Sequence, residues 1–489
     1  MKQLATALLY IDGKIRPAEG GKTFDNICPW TAEIAGQAAD ASAADVEEAI
    51  AAARRAFDET DWSRQHNQRH ELVKRYMALL RANHDRLMDI ARIEAGAAIG
   101  AANRAHVDFA LNGGDDLVEC FNRVKWEEDR GRREEHGGVS ERIVMYEPLG
   151  VVAAITPWNV PLYVNIGKVI AALLAGCTIV LKPAPDTPLM GSIMGELAEE
   201  AGIPPGVLNV VTSADPSMAG EMLVADPRVD VISFTGSTAV GKRIMERGAA
   251  TLKRIFLELG GKSVKIILDD APDFPVKCMM SMAIFHAGQG CALPTRLLVP
   301  RSRYTEAVEA LQISYGGLAS RWGDFDDPES IMGPVVSRKQ LERVMGYIEL
   351  GHKEGARLIA GGKTCPEKGT GFFIEPTCFV DVTNDMRIAQ EEIFGPVLVV
   401  IPFEDDEDAI RIANDSSYGL GGAVISADRE RAMHVSKSIR AGSISINDGM
   451  SITGDLPFGG VKGSGVGREW GREGIEEFLD SKAIAIGVT

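Results

Sequence analysis

Short apolar segments alternate with longer amphipathic segments from Gly150 onward, over most of the chain. The apolar segments VVAAI, TIVLK, VLNVV, VDVISF and IFLEL are predicted strands, with predicted helices at Val164 to Leu174, Met190 to Ala201, near Met218 to Val224 and from Val240. Strands that are apolar throughout are typical of a parallel sheet covered on both faces, because the connections between parallel strands cross over the sheet. The chain is therefore predicted to be an α/β protein.

The same alternation starts again after Gly260-Gly261, which indicates a second α/β domain with a hinge at these glycines. Strands are predicted at VKIIL, LLV and LVVIPF, and helices up to about Ala287, after Tyr304, over Val335 to Ala356 and over Asp405 to Asn414. At the N-terminus, LLYIDGKIRP predicts a hairpin that turns at Asp12-Gly13. Earlier helices are predicted from Ala43 to Phe57 and from Arg69 to Ile90.

A very polar run from Lys125 to Tyr146 interrupts the first domain. It is either a solvated loop or an arm that leaves the domain to pair with a partner subunit. The sequence of this run does not decide between the two.

Charge and cysteine content narrow the possible partners and compartments. The net charge of −17 disfavours binding to nucleic acid or to an anionic membrane surface, which both attract basic proteins. The seven cysteines are scattered and form no Cys-x-x-Cys pair, which is typical of a reducing compartment. Prolines and Lys168 interrupt the apolar stretch from Pro148 to Pro183, and the N-terminus has no signal-like cleavage site. A cytoplasmic protein is predicted.

The segment Gly236-Ser-Thr-Ala-Val-Gly241-Lys242 follows a predicted strand and opens a predicted helix, as a phosphate-binding P-loop does. The next residue is Arg243, where a P-loop needs Ser or Thr to hold magnesium, so nucleotide hydrolysis is rejected. A turn of small residues at a helix N-terminus still favours an anion such as a pyrophosphate. The alternative is a simple tight turn.

His66 and His70 lie one helical turn apart, but Asn67 stands where a zinc protease needs its glutamate. A polar helix face is the preferred interpretation, and no metal site is predicted.

Three residues are candidates for covalent catalysis. Cys291 lies between a predicted helix and a strand, beside glycines that leave its backbone accessible, and a thiolate is a strong nucleophile. Glu258 ends the strand IFLEL, where burial would raise its pKa into the range of a general base. Asn159, in TPWNVPL, carries an amide that could stabilise an oxyanion. By itself Cys291 is more commonly a small buried apolar residue, so the interpretation needs all three.

Seven motifs taken together show a family resemblance. The segments EPLGVVAAITPWNVPL, TIVLKPAPDTP, FTGSTAVG, LELGGKS, GQGC, EEIFGPV and PFGGVKGSGVGRE, in this order and nearly end to end, resemble the aldehyde dehydrogenase superfamily. The resemblance implies a Rossmann-like NAD(P)-binding domain (1–124 and 148–258), a catalytic domain (259–460) and a small β oligomerisation arm with the C-terminal tail (125–147 and 461–489). It also implies a homodimer or homotetramer.

The resemblance assigns chemistry to the candidates. Cys291 would attack the aldehyde carbon, and the Asn159 side chain and the Cys291 amide would hold the oxyanion. Hydride loss to the nicotinamide would give a thioester, and Glu258 would activate the water that hydrolyses it. Lys168 and Glu469 match positions associated with a proton path. Glu258 also argues against a coenzyme-A-acylating relative, in which water must not compete for the thioester.

The resemblance also implies a set of cofactor residues, with NAD as the first choice. Many NAD-preferring members carry Glu three residues after the strand lysine, where this chain has Pro185, so NADP remains open because a 2′-phosphate would meet less repulsion. The matching residues are Ile155, Trp158, Lys182, Gly220, Phe234, Gly236, Ser237, Val240, Leu259, Glu392 and Phe394.

The substrate is predicted to be a bulky hydrophobic aldehyde, aromatic or terpenoid, with a long aliphatic aldehyde as the next choice. Positions that carry bulky aromatics in relatives read Val160, Gly167 and Ile452 here, which predicts a wide apolar tunnel. The predicted pocket residues are Val160, Gly167, Gly290, Ala292, Ile452 and Phe458. Three alternatives stay open: a coenzyme-A-acylating enzyme, a semialdehyde dehydrogenase and a non-catalytic cofactor-binding protein.

Overall fold

The computed structural model describes residues 3–101, 106–279, 282–318 and 321–488. The strands in these residues are β1 (Leu9–Ile11), β2 (Lys14–Arg16), β3 (Thr23–Ile27), β4 (Ile34–Ala39), β5 (Glu127–Glu135), β6 (Gly138–Pro148), β7 (Val151–Ile155), β8 (Thr178–Lys182), β9 (Leu208–Val210), β10 (Val231–Thr235), β11 (Arg254–Glu258), β12 (Val264–Ile267), β13 (Arg296–Pro300), β14 (Arg357–Ala360), β15 (Thr377–Val380), β16 (Val397–Phe403), β17 (Gly421–Ile425), β18 (Ser443–Ile446), β19 (Gly465–Val466) and β20 (Leu479–Val488).

The α-helices in the same residues are α1 (Ala43–Glu59), α2 (His66–Ala82), α3 (His84–Glu94), α4 (Ile99–Ala101), α5 (Phe109–Cys120), α6 (Pro161–Ala175), α7 (Pro188–Ala201), α8 (Pro216–Ala225), α9 (Thr238–Gly248), α10 (Phe274–Met279), α11 (Tyr304–Gly317), α12 (Arg338–Lys353), α13 (Arg387–Gln390), α14 (Asp406–Asn414), α15 (Arg429–Ser438) and α16 (Gly471–Glu476). Short 3₁₀ segments lie at Glu19–Gly21, Phe121–Arg123, Ala249–Thr251, Met282–Gly288, Arg301–Arg303, Pro366–Lys368 and Lys462–Ser464.

Two large sheets, both mostly parallel, organise the chain. The first has the order β19-β11-β10-β7-β8-β9-β1-β2, and its strands β7 to β11 run parallel. The second has the order β14-β15-β16-β13-β12-β17-β18 and is parallel except for β14. The predicted α/β class is confirmed by this arrangement. β11 belongs to the first sheet and β12, which follows Gly260-Gly261, to the second.

Helix α6 shows why the first sheet folds as it does. Every residue from Pro161 to Ala175 is buried, so the helix is apolar on all sides apart from Lys168 and Asn165. Pro161 occupies the first turn, where a backbone N–H would have no hydrogen-bond acceptor within the helix. Gly176 ends the helix with a φ of 98°. Each fully buried Leu or Ile here contributes about 2 kcal/mol by removal of apolar surface from water. The helix therefore holds Asn159, just before it, and Lys168, within it, in fixed places.

The polar run from Lys125 to Tyr146 forms strands. β5 and β6 make a hairpin, and β20 pairs with β6 from Leu479 opposite Pro148 to Val488 opposite Val139. The tail 461–489, which was grouped with this arm from the sequence, divides in the structure. β19 pairs with β11 in the first sheet, and only β20 joins the arm.

One helix prediction is wrong at the residues that lead to Cys291. The predicted helix up to about Ala287 is α10 followed by the 3₁₀ segment Met282–Gly288, and residues 280–281 lie outside the described chain. His286, Ala287 and Gly288 have φ values of 47°, 53° and 71°, which no α-helix tolerates. Elsewhere the predicted Asp12-Gly13 hairpin is present, with φ values of 50° and 76° at the turn.

No helix in the described part of the chain is both long enough and apolar enough to cross a membrane.

Candidate active site

A cavity of about 1380 Å³ lies where the two domains meet. The first domain lines it with the residues that follow the carboxyl ends of β7, β10 and β11, and the second domain with the Cys291 loop and the segment around Glu392. The crevice beyond the carboxyl ends of parallel strands is where α/β sheets bind ligands. Most of the exposed lining is apolar, so the few polar groups stand out.

Cys291 differs from the other six cysteines because its side chain is half-buried and lines the cavity, whereas theirs are buried. Its loop approaches other backbone closely. A Cβ on Gly261 would lie 2.3 Å from the Cys291 carbonyl oxygen, and a Cβ on Gly288 would lie 1.9 Å from the Gly395 carbonyl oxygen. The glycines around Cys291 therefore serve this close packing as well as access to the thiol.

The Cys291 thiol is uncharged at neutral pH in the free protein. Burial, and next the negative charges of Glu258 and Glu392, raise its pKa to about 12, although the backbone amides of Ala292 and Cys291 act in the opposite direction. A thiol in this state needs a base to become a nucleophile.

Asn159 is buried and is joined to the Cys291 loop through Gln289. Its Nδ2 donates a hydrogen bond to the Gln289 carbonyl oxygen at 3.0 Å, which leaves the second N–H of the amide for another acceptor. Gln289 is itself fixed, because its Oε1 accepts from Val336 N at 2.8 Å and its Nε2 donates to the His286 carbonyl at 3.1 Å. Gln289 was not predicted from the sequence; its backbone carbonyl joins the Asn159 amide to the Cys291 loop, and its side chain anchors that part of the loop.

Glu258 ends β11 and is 4% exposed, and within the described residues neither carboxylate oxygen has a hydrogen-bond partner. Its pKa lies well above the usual range, chiefly because of burial and then because of the charge of Glu469, while Lys168 and Arg468 oppose the shift. The direction is the one expected for a buried carboxyl. A raised pKa makes the carboxylate form a stronger base, and the charge of Glu258 is close enough to Cys291 to raise the pKa of the thiol.

Lys168 and Glu469 form a buried ion pair behind Glu258. Lys168 Nζ donates to Glu469 Oε1 and, at 2.9 Å, to Ser233 Oγ. Glu469 also lines the cavity, whereas Lys168 lies behind it on α6. The pair thus connects the cavity beside Glu258 with the interior of the first sheet.

The turn that opens α9 packs closely against Phe234 of β10 and Leu259 after β11. A Cβ on Gly236 would lie 2.4 Å from the Phe234 ring, and a Cβ on Gly241 would lie 2.6 Å from Leu259 Cδ2, so close packing of helix and strand requires both glycines. The Ser237 side chain caps the helix at Val240 N, at 3.4 Å. Bare amides at the start of an eleven-residue helix suit a pyrophosphate.

The other side of the cavity holds Glu392 and Phe394. Glu392 Oε1 accepts from Gly261 N at 2.9 Å, which joins the segment before β16 to the residues between β11 and β12. The Phe394 ring meets Trp158 edge to face at 5.3 Å. Gln340 Nε2 donates to the Phe394 carbonyl at 2.7 Å and Arg343 Nη2 to the Glu392 carbonyl at 2.6 Å.

Gln340, Arg343 and the neighbouring Lys339 line the cavity and were missed from the sequence. Gln340 and Arg343 stand three residues apart on α12, so they share one helix face, but nothing in their local sequence shows what that face meets.

The predicted cofactor residues fall into two groups. Trp158, Gly236, Ser237, Leu259, Glu392 and Phe394 line the cavity. Ile155, Lys182 and Phe234 are buried in the strands below it, and Gly220 and Val240 lie on α8 and α9 beside it. A Cβ on Gly220 would have no neighbour within 4 Å, so space is available there. Burial lowers the pKa of Lys182 to about 8, against the charges of Asp215 and Asp186.

Five of the six predicted pocket residues line the cavity, namely Val160, Gly290, Ala292, Ile452 and Phe458, and Gly167 does not. The expectation that the missing side chain at 167 widens the tunnel needs correction. The Trp470 indole fills that space, since a Cβ on Gly167 would lie 2.9 Å from Trp470 Cζ2. Tyr163 and Phe109 add aromatic rings to the apolar wall.

Among the described residues, no group of three or more His, Cys, Asp and Glu side chains is arranged to hold a metal ion.

Comparison with known proteins gives a consistent match over nearly the whole chain. The model of the aldehyde dehydrogenase family matches residues 15–484. An aldehyde dehydrogenase of Mycobacterium tuberculosis, solved with NAD+, is 41% identical, with 99% of this chain and 98% of that chain covered and a TM-score of 0.94. Betaine aldehyde dehydrogenase of Staphylococcus aureus, solved with NAD+, is 35% identical, with coverage of 98% and 94% and a TM-score of 0.93. A cysteine-to-alanine variant of aldehyde dehydrogenase C of Pseudomonas syringae, solved with NAD+ and octanal, is 38% identical, with coverage of 98% and 96% and a TM-score of 0.90.

Proposed function

We propose, since the chain belongs to the aldehyde dehydrogenase family, that it oxidises a bulky hydrophobic aldehyde to the carboxylic acid with NAD as electron acceptor. The observation that carries the proposal is the grouping of Cys291, Glu258 and Asn159 around one cavity. A nucleophile, a base and an oxyanion donor together are the groups that acyl chemistry through a thioester requires.

The first step forms a bond between Cys291 Sγ and the aldehyde carbon. The thiol proton passes to the Glu258 carboxylate, and the carbonyl electron pair moves onto the oxygen. The free N–H of Asn159 and the Cys291 amide stabilise that oxyanion. Because the adduct is covalent, its C–H bond is fixed in one place for oxidation.

Loss of this hydrogen as hydride, to the acceptor that bound NAD would supply, leaves a thioester on Cys291. The residues that would hold it are Gly236 and Ser237 at the α9 turn, Lys182 and the Glu392–Phe394 segment. The amides at the N-terminus of α9 and the open space at Gly220 fit such a group.

The proton that Glu258 took from the thiol first leaves through Glu469 and Lys168, which are already hydrogen-bonded to each other. Glu258 then accepts a proton from water, whose oxygen adds to the thioester carbon. The C–S bond breaks, the acid leaves, and Cys291 takes back this proton from Glu258. In total, aldehyde, NAD+ and water give acid, NADH and a proton.

We expect NAD to be preferred to NADP. Pro185 removes one carboxylate from the adenosine end, but Asp186 lines the cavity one residue later, and its charge acts on Lys182. A 2′-phosphate would meet that carboxylate.

The subunit is expected to form a homodimer or homotetramer through the sheet of β5, β6 and β20.

A steady-state assay with aromatic, terpenoid and straight-chain aldehydes, each with NAD and with NADP and without coenzyme A, tests the activity. Cys291→Ala should remove activity, a fall of at least about 10³-fold, while NAD binding persists. Glu258→Gln should reduce one cofactor per site slowly and then stall, because first the thiol and then the hydrolytic water lack their base. Activity that appears only when coenzyme A is added, or a Glu258→Gln variant with wild-type turnover, would contradict the hydrolytic mechanism.

A further inference from the structure

Three aromatic rings form one stack. They belong to Phe109 of α5, to Tyr163 of α6 and to Trp470, the residue after Glu469. Phe109 and Tyr163 stack with centroids 5.1 Å apart and an angle of 20°. Tyr163 and Trp470 stack at 4.3 Å and 23°. Phe109 and Tyr163 line the cavity, whereas Trp470 is completely buried behind it.

Trp470 occupies a slot that two glycines make. A Cβ on Gly113 of α5 would lie 2.7 Å from Trp470 Cζ3, and a Cβ on Gly167 of α6 would lie 2.9 Å from Trp470 Cζ2. Gly167 is one helical turn after Tyr163, so the indole packs against α6 and also on the Tyr163 ring. The slot therefore fixes the position of Tyr163 at the cavity wall.

Tyr163 retains an unused hydrogen-bond donor. Its side chain is 9% exposed, and its hydroxyl has no hydrogen-bond partner among the described residues. The rings of Phe109 and Trp470 are already stacked on the Tyr163 ring. A ligand can therefore contact Tyr163 only at its ring edge and its hydroxyl. Burial, and then the charges of Glu469, Cys291 and Glu258, raise its pKa far above the usual value, which keeps the hydroxyl protonated close to the catalytic groups.

An unpaired buried hydroxyl costs free energy unless a partner arrives. The edge of an aromatic ring carries partial positive charge and attracts the face of another ring or an oxygen rather than an alkyl chain. The walls around it, including Val160, Ile452 and Phe458, are apolar.

We propose that Tyr163 is a specificity residue for aromatic aldehydes that carry an oxygen substituent on the ring, and this proposal rests on the proposed aldehyde oxidation. Its hydroxyl donates a hydrogen bond to that oxygen, and Trp470 is a positioning residue that acts through Tyr163. The substrate class is thereby narrowed from hydrophobic aldehydes to oxygenated aromatic aldehydes.

The test compares methoxybenzaldehydes with ethylbenzaldehydes at the 2, 3 and 4 positions. The two substituents are similar in size, and only the methoxy oxygen accepts a hydrogen bond. The ratio of kcat/KM for methoxy over ethyl is measured in the wild type and in Tyr163→Phe, so that electronic effects of the ring cancel between the proteins. At one ring position we expect the wild-type ratio to exceed the Tyr163→Phe ratio about tenfold.

Tyr76→Phe is the matched control. The Tyr76 hydroxyl is also buried, but it donates to the Met194 carbonyl at 2.6 Å, away from the cavity lining. This variant should have a lower Tm and an unchanged methoxy-to-ethyl ratio. Tyr163→Phe loses no hydrogen bond of the described structure and should keep its Tm.

Trp470→Leu and Trp470→Phe test the positioning role. The Leu variant should raise KM for the methoxybenzaldehydes more than for octanal, and the Phe variant should restore part of the difference. If Trp470→Leu does not fold, Tyr163→Phe alone decides the proposal. Equal ratios in wild type and Tyr163→Phe at all three positions would overturn the inference while leaving aldehyde oxidation intact. No oxidation of any aldehyde by the wild type would instead overturn the proposed function.

Discussion

Cys291 is proposed as the nucleophile because of its surroundings. The other six cysteines are buried among apolar side chains, and burial raises the pKa of Cys278 and Cys365 to about 12 as well. What distinguishes Cys291 is access from the cavity and the nearby Glu258 and Asn159. The pKa of the thiol therefore does not distinguish Cys291 from the other cysteines of this chain. Access to the thiol from the cavity does.

Alkylation of the native protein tests this difference. We expect iodoacetamide to modify Cys291 first and to reach one equivalent per chain, because only the thiolate reacts and the other thiols are shielded. The rate should rise about tenfold for each pH unit between 7 and 9, since the pKa of the thiol lies above that range. Peptide mass spectrometry would identify the site, with Cys291→Ala as control. Modification of Cys378 at a similar rate would contradict the assignment.

At the residue scale, the sequence was informative wherever a motif fixed the local backbone. Asn159, Glu258, Gly290 and Cys291 were all expected at the site, and all line the cavity. Gly167 was misplaced because its neighbour, Trp470, comes from a distant part of the chain. A missing side chain in the sequence does not reveal whether another residue fills the space.

Helix α7 shows how two elements depend on one buried carboxyl. Its N-cap residue, Thr187, makes no side-chain cap, and Glu94 at the end of α3 accepts instead from Leu189 N at 2.6 Å and Met190 N at 3.0 Å. Burial is the main cause that raises the pKa of Glu94 to about 8. The helix next to the Lys182 strand is therefore held by a carboxyl that is protonated at neutral pH.

The raised pKa of Glu94 makes stability depend on pH. In the unfolded chain the pKa of Glu94 is near 4.5. The contribution of Glu94 to the free energy of unfolding is therefore fully present below pH 4.5 and is lost as the pH rises through about 8. The glutamine of Glu94→Gln cannot ionise, but its amide has one acceptor oxygen where the carboxyl has two. The loss of one hydrogen bond should lower the free energy of unfolding by about 1–3 kcal/mol at pH 5. We expect its Tm to lie below that of the wild type at pH 5, with a difference that shrinks toward pH 9.

Calorimetry of both proteins between pH 5 and pH 9 gives the comparison. Glu196→Gln, on the exposed face of α7, should leave the pH dependence unchanged. Parallel curves for wild type and Glu94→Gln would show that Glu94 does not titrate as inferred.

Elements with their own periodicity were predictable, and the segment before Cys291 was not. The strands β7, β8, β10 and β11 and the helices α6 and α7 follow the apolar pattern of the sequence. Residues 286 to 288 take left-handed conformations, and Gly288 packs against the backbone of Gly395, which precedes β16. This tertiary contact overrides the local helical pattern, and no single-segment pattern contains it.

At the scale of the whole molecule, β5, β6 and β20 form a separate three-stranded sheet. Its outer strands β5 and β20 are largely exposed along their length, the central strand β6 is half-buried, and β20 carries the half-exposed Ile486. Long exposed edge strands are stable in solution when another chain covers them. The polar sequence of this run did not distinguish a solvated loop from this arm, because its pairing partner is the distant C-terminal strand.

Ile486→Glu tests whether the arm joins subunits. A carboxylate placed in an apolar interface is destabilising unless it is paired, so we expect the substitution to shift the molecular mass in sedimentation equilibrium toward that of one chain. Ile313→Glu, at a 68% exposed position on α11 of the second domain, is the matched control and should leave the mass unchanged. If Ile486→Glu keeps the wild-type mass and Ile313→Glu lowers it, the interface lies on the second domain. Retention of aldehyde oxidation by a dissociated variant would then show that one chain contains the complete site.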